Sequence, residues 1–173
     1  MEYVISIIIP VYNAASCILK AFKSLEAQTI GFENLKIIAV DDCSIDNSYE
    51  IIQKYAELYN NVVVMQTKEN TKSASAPRNL ALSKVDTKYI MFLDSDDYYE
   101  PDACKQLYEA IEKNDVDIVT GYYREISSDD FSIINERAPS CQLSDKRKEY
   151  HFPQDYGIMH EVRQIFWCKI YKT

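Results

Sequence analysis

Residues 4–9 read V-I-S-I-I-I, and Pro10 follows them. An apolar, β-branched run without polar alternation predicts a strand covered on both faces, as in a parallel sheet. Downstream, Ile18, Leu19, Phe22 and Leu25 recur at three- and four-residue spacing, which predicts an amphipathic helix over about residues 14–28. Lys36 to Val40 repeats the strand pattern and runs into Asp41, Asp42, Cys43 and Ser44. A second helix is expected from about Asp46, capped by Asp46 or Ser44, with Ile51, Ile52, Tyr55 and Leu58 inward. Asn61 to Thr67 reads as a third strand, and residues 73–84 as a short helix, irregular at Pro77. Lys88 to Leu93 is a fourth strand that ends in Asp94-Ser95-Asp96-Asp97. Pro101 opens a helix to about Lys113, and Val116 to Tyr123 is a fifth strand. This alternation predicts βαβ units: an α/β fold with a mostly parallel sheet and helices on both faces. Residues 124–155, with Pro139 and Pro153, break the rhythm and mark a change of role near residue 124.

Composition narrows the function. The chain has 173 residues, 47% hydrophobic and 27% charged, enough for a packed core. Nineteen basic against 27 acidic residues give a net charge of −8, which argues against nucleic acid as a partner. Only three glycines occur, Gly31, Gly121 and Gly157, so neither a G-x-G-x-x-G turn nor a P-loop exists. Five widely spaced cysteines without a C-x-x-C pair suit a reduced cytosolic setting better than a zinc site or disulfide framework. His151 and His160 have no visible partner in the sequence. No apolar run approaches a membrane span, and no signal peptide opens the chain.

Open α/β sheets bind ligands beyond the carboxyl ends of their strands. Three of those ends are unusual here: Pro10-Val11-Tyr12-Asn13, Asp41-Asp42 and Asp94-Ser95-Asp96-Asp97. Either acidic cluster alone reads equally well as a helix cap or a surface turn. Together on one rim they would repel an anionic ligand unless a divalent cation intervened. Mg2+ and Mn2+ take carboxylate and phosphate oxygens, so a metal–diphosphate site is a consistent expectation.

Four blocks in register carry a resemblance: S-I-I-I-P-V-Y-N (6–13), V-D-D-C-S-I-D-N-S (40–48), P-R-N-L-A-L (77–82) and Y-I-M-F-L-D-S-D-D-Y (89–98). The chain resembles the N-terminal catalytic domain of family 2 glycosyltransferases of the GT-A fold, of the bacterial cell-surface polysaccharide or teichoic acid type. The likeness is strong over residues 3–123 and returns at Trp167-Cys168-Lys169-Ile170-Tyr171-Lys172, similar to a W-x-K-L-Y-K segment of the family. It implies a Rossmann-like sheet, with residues 1–123 as the nucleotide-sugar-binding half and 124–173 as the start of an acceptor-binding half.

By the same resemblance, Pro10 and Tyr12 match positions packing against the nucleotide base, and Asp42 the residue bonding the base ring. Asp94, near the ribose, and Asp96, on the metal, match the D-x-D motif, with Ser95 between them counted among the donor-binding residues. Arg78 matches a basic residue approaching the diphosphate, and Asn70 begins the loop over the sugar nucleotide. The implied activity is hexosyl transfer from a nucleotide-diphosphate sugar, UDP being the family's commonest, to a saccharide or polymer acceptor. The displacement is inverting and uses Mn2+ or Mg2+; the setting is cytoplasmic, with peripheral association at the inner membrane face. The chain departs from the family at Thr71-Lys72-Ser73, where glycines are common, and at Pro77, where alanine is; the latter resembles the teichoic acid or capsule branch. The catalytic base of inverting members is expected beyond Thr173, which predicts donor binding with little transfer. A non-catalytic nucleotide-sugar-binding module and a nucleotidyltransferase are the rival readings. The latter usually needs a glycine-rich loop after its first strand. A response-regulator receiver is disfavoured because its acidic pair follows strand one.

Overall fold

The computed structural model describes residues 3–127, 132–137 and 168–173. Its strands are β1 (Ile5–Val11), β2 (Leu35–Asp41), β3 (Val62–Gln66), β4 (Tyr89–Phe92), β5 (Ile118–Thr120), β6 (Tyr123–Ile126), β7 (Ile133–Arg137) and β8 (Lys169–Lys172). Its helices are α1 (Ile18–Glu26), α2 (Ser48–Leu58), α3 (Ser75–Leu82) and α4 (Ala103–Asn114). Six strands form one sheet in the order β3-β2-β1-β4-β8-β5, and β6 and β7 form a separate antiparallel pair. The first four strands in that order run parallel, whereas β8 is antiparallel to both β4 and β5.

Every residue of β1 is buried, and cover on both faces of the pleat explains why the run is apolar apart from Ser6. Ile5, Ile7 and Ile9 join Leu35 and Ile37 in a layer filled by Phe22 and Leu25 of α1, Ile52 of α2 and Ile111 of α4. Ile8 and Ile38 point the other way and, with Val40 and Phe92, pack on Ala81 and Leu80 of α3. Helices therefore cover both faces, as the alternation predicts.

The differences from expectation have local causes. Helix α1 starts at Ile18 because residues 14–17 form a turn in which Cys17 and Ile18 both donate to the Ala14 carbonyl. Helix α2 starts at Ser48, since Ser44 and Asp46 are engaged by the loop after β1. Pro77 lies in the first turn of α3, where its missing N–H removes no helical bond, and no irregularity follows. The predicted fifth strand, Val116 to Tyr123, shrinks to Ile118–Thr120; it keeps the direction of β4 but is separated from it by β8, with which both pair antiparallel. Gly121 turns the chain away: its N–H donates to the Cys168 carbonyl at 2.7 Å, and Tyr123 then begins β6. The segment read as W-x-K-L-Y-K contributes β8, which enters the main sheet between β4 and β5. Trp167, His151 and His160 lie outside the described residues, as do Asp129, Asp130, Asp145, Glu149, Asp155 and Glu161. Among the described residues no helix is long and apolar enough to cross a membrane.

The loop after β4 is fastened at its far end by α1. Buried Gln28 donates from Nε2 to the Ser24 carbonyl (2.9 Å) and the Glu100 carbonyl (2.8 Å), and its Oε1 accepts the Cys104 N–H at 3.0 Å. Thr29 adds a bond to the Pro101 carbonyl and another to Asp102. Gln28→Leu would leave the Glu100 carbonyl and Cys104 amide without this partner, at about 1–3 kcal/mol each. The expected loss, measured by urea unfolding, is about 2–6 kcal/mol in total.

Candidate functional site

The chain leaves β1 toward β2 and β3 on one side, while β4 lies on the other. That divergence opens a crevice beyond the carboxyl end of β1, where open α/β sheets bind ligands. Pro10 sharpens it. The Ile8 carbonyl accepts the Leu93 N–H at 3.0 Å on the β4 side. Two residues later the pleat presents Pro10 in the same direction, with no N–H to offer, and the register with β4 stops at Ile8 and Phe92. On the β2 side pairing continues, Val11 level with Asp41 and the Asp42 N–H bonded to the Val11 carbonyl at 2.8 Å.

A cleft of about 700 Å³ occupies the gap, within the range of small-ligand sites. Strand β1 contributes Pro10, Val11 and half-exposed Tyr12; the end of β2 contributes Asp42. The loop after β3 and the start of α3 supply Asn70, Lys72, Ser73, Ala74, Pro77 and Arg78, and the end of β4 supplies Asp94, Ser95 and Asp96. All eight residues singled out from the sequence thus line one cleft. Lys72, Ser73 and Pro77 were visible there only as departures from a pattern.

Four hydrogen bonds clasp the loop carrying Tyr12 to the loop after Asp42. Asn13 N–H donates to Ser44 Oγ (2.9 Å) and Asn13 Oδ1 accepts the Ile45 N–H (2.9 Å). Ala14 N–H donates to Ser48 Oγ (2.7 Å) and Ala15 N–H to Asp46 Oδ2 (3.1 Å). Asn13 adopts the left-handed conformation, φ +49°, which Asn tolerates better than most residues. By sequence alone, Asp46 or Ser44 reads as the cap of α2. Asp46 does bond the Ser48 N–H at 3.0 Å, but the same carboxylate also holds the other loop.

The acidic rim is unevenly compensated. Arg78 Nη2 contacts Asp94 Oδ1 at 2.5 Å, both side chains mostly buried, so one carboxylate carries its own counter-ion. Asp97 is pushed up to about 6 by burial first and then by the charges of Asp96 and Asp94, with Lys20 opposing. The smaller contribution, from the neighbouring carboxylates, is one that a cation beside them would offset. Among the described residues no three His, Cys, Asp or Glu side chains enclose a common point. A complete protein cage is not what Mg2+ or Mn2+ needs, because one or two carboxylates plus substrate phosphates suffice. Exposed Asp96, with Asp94 beside it on the cleft wall, fits that donor set.

The clasp predicts an acid dependence. Burial pushes the Asp46 carboxyl up, but the Ser48 hydroxyl and the Ala15 and Ser48 amides together outweigh it, and the group titrates below its ordinary value. A depressed carboxyl contributes stability above the unfolded pKa of about 3.9 and loses it as pH falls through the folded value. Asp46→Asn should therefore melt below the unmutated chain at pH 7, and the gap in Tm should close toward pH 2.

Comparison with known proteins agrees with this architecture. Residues 6–171 match the Glycosyl transferase family 2 profile. The chain is 38% identical over 145 residues to the poly(ribitol-phosphate) beta-glucosyltransferase of Bacillus spizizenii, covering 83% of this chain and 23% of that protein. It is 35% identical over 154 residues to the minor teichoic acid biosynthesis protein GgaB of Bacillus subtilis, covering 87% of this chain and 17% of that one. It therefore spans about a quarter or less of the length of these relatives. The crystal structure of S. aureus TarS 1-349 in complex with UDP-GlcNAc superposes with a TM-score of 0.77 at 25% identity, covering 99% of this chain and 45% of that one. These matches make the sheet a GT-A fold, and the chain belongs to glycosyl transferase family 2.

Proposed function

We propose that this chain binds the donor in a glycosyltransferase moving a hexose from a UDP-sugar to a saccharide or polymer acceptor by inverting displacement. The observation that carries the reading is the convergence of four separate sequence blocks, through Tyr12, Asp42, Arg78 and Asp96, on one cleft at the topological switch. The relatives' own names support a polyol-phosphate polymer of the teichoic acid class as acceptor. In this reading Pro10 and Tyr12 pack against the base, Asp42 accepts a ring N–H, and Asp94 and Ser95 meet the ribose. Arg78 and Asn70 serve the diphosphate and the loop over it. Asp96 holds Mn2+ or Mg2+, which when bound supplies Lewis-acid stabilisation to the departing diphosphate.

A second reading, donor binding without turnover, is favoured by the state of the cleft's carboxylates. Asp42 is bonded to Thr67 and Thr71, and Asp94 to Arg78. With Asp96 assigned to the cation, no carboxylate among the described cleft residues is left to act as general base. Positioned bases contribute about 10²–10⁴-fold in rate. Calorimetry with a UDP-sugar and Mn2+, run beside a transfer assay on poly(ribitol phosphate), should give binding with transfer near background. Rapid transfer by this chain would retire the second reading.

The metal role is tested at Asp96. Asp96→Ala should remove the metal-dependent part of UDP-sugar affinity while leaving Tm within a degree or two, because the residue is exposed on the rim. Unchanged metal-dependent affinity in calorimetry would exclude Asp96 as the ligand.

A further inference from the structure

The Asp42 carboxylate, almost fully buried, receives three donors. The Thr67 hydroxyl donates to Oδ1 at 2.8 Å and the Thr71 hydroxyl to Oδ2 at 2.9 Å. The Thr71 backbone N–H is shared between the two oxygens, at 3.0 and 3.1 Å. Each hydroxyl has one proton and a second acceptor in reach, the Glu69 carbonyl at 2.9 Å for Thr67 and the Ser73 carbonyl at 3.1 Å for Thr71. The carboxylate is nearer in both cases, and charge-assisted bonds are about twice as strong as neutral ones, so both protons go to Asp42. A carboxylate offers about four acceptor positions. Each oxygen takes one hydroxyl and a share of the single Thr71 N–H, so three donors of this one loop hold both oxygens of the carboxylate.

The same loop delivers a cation. Asn70 Oδ1 accepts the Lys72 N–H at 2.7 Å, a turn that holds Lys72 at φ +55° without a glycine. Lys72 lines the cleft, and among the described residues it has no carboxylate within ion-pair distance, whereas Arg78 is already engaged by Asp94. Thr71 thus stands between two ligand-facing groups, bonded to Asp42 and next in chain to Lys72.

We propose that Thr71 is a positioning residue: it latches residues 67–74 onto Asp42, so that the carboxylate meeting the donor's base also seats Lys72 against the donor's diphosphate. This rests on the donor-site reading above. Its content is a coupling: Lys72 contributes fully only while the latch is closed.

The test is a double-mutant cycle on UDP affinity with Mn2+ present, using Thr71→Val, Lys72→Met and the pair, together with amide exchange of residues 67–74 in the free chain. Lys72→Met should weaken UDP about ten-fold alone but less than about three-fold on top of Thr71→Val. Thr71→Ser, which keeps the hydroxyl, should recover most of the affinity lost in Thr71→Val. Exchange across the loop should accelerate in Thr71→Val and return toward normal in Thr71→Ser. The same fold-loss for Lys72→Met in both backgrounds, or unchanged exchange in Thr71→Val, would overturn the proposal. Failure of the unmutated chain to bind UDP would overturn the donor-site reading and the coupling with it, while the exchange measurement would still decide whether the latch exists.

Discussion

Strand β1 is covered on both faces and paired on both edges from Ile5 to Ile8, then loses one edge at Pro10. The absent amide sets the geometry of everything nearby. A residue with an N–H there could extend the ladder to β4 and narrow the crevice. With proline the chain after Phe92 peels away, while the β2 side stays zipped through Asp42. The cleft follows from asymmetric pairing of one central strand. Its floor is rigid because Pro10 and Val11 remain buried, and its walls are loops because the ladder has ended.

Those loops are held by polar side chains. Asn13, Ser44, Asp46 and Ser48 join two of them, Thr67 and Thr71 attach a third to Asp42, and Gln28 secures the far end of a fourth. Each of these bonds satisfies a backbone group or carboxylate, and where such a group is buried, as at Asp42 and Cys104, leaving it unmet costs more than meeting it gains. Ligand-facing residues are thereby placed by neighbours that need not touch a ligand.

The sequence shows the ligand-facing residues more readily than their supports. Strands buried on both faces leave continuous apolar runs, and Asp42, Asp94 and Asp96 stand at their ends, so the parallel core and the acidic rim are legible in one dimension. Asp46 and Ser44 look like helix caps because local signals describe local bonds. Their second partners lie about 30 residues away, at Asn13 and Ala15. Gln28 carries no signal at all, since its partners Glu100 and Cys104 are more than 70 positions distant. The short strand β8 is hidden for the same reason: four residues have no periodicity of their own, and its neighbours in the sheet decide its place.

The position of β8 bears on how the molecule is assembled during synthesis. Strand β4 pairs on one edge with β1, which precedes it in the chain, and on the other with Lys169–Lys172, far behind it. In the interval a nascent chain carries Ile90 and its neighbours on a strand with open backbone groups along one side. Unpaired edges of that kind recruit other strands, and pairing across so long a separation is slow to form. Lys88, next to β4, puts a charge at this seam and discourages adventitious partners until the native one arrives. The seam between β4 and β5 is thus filled by a strand that follows both of them in the chain.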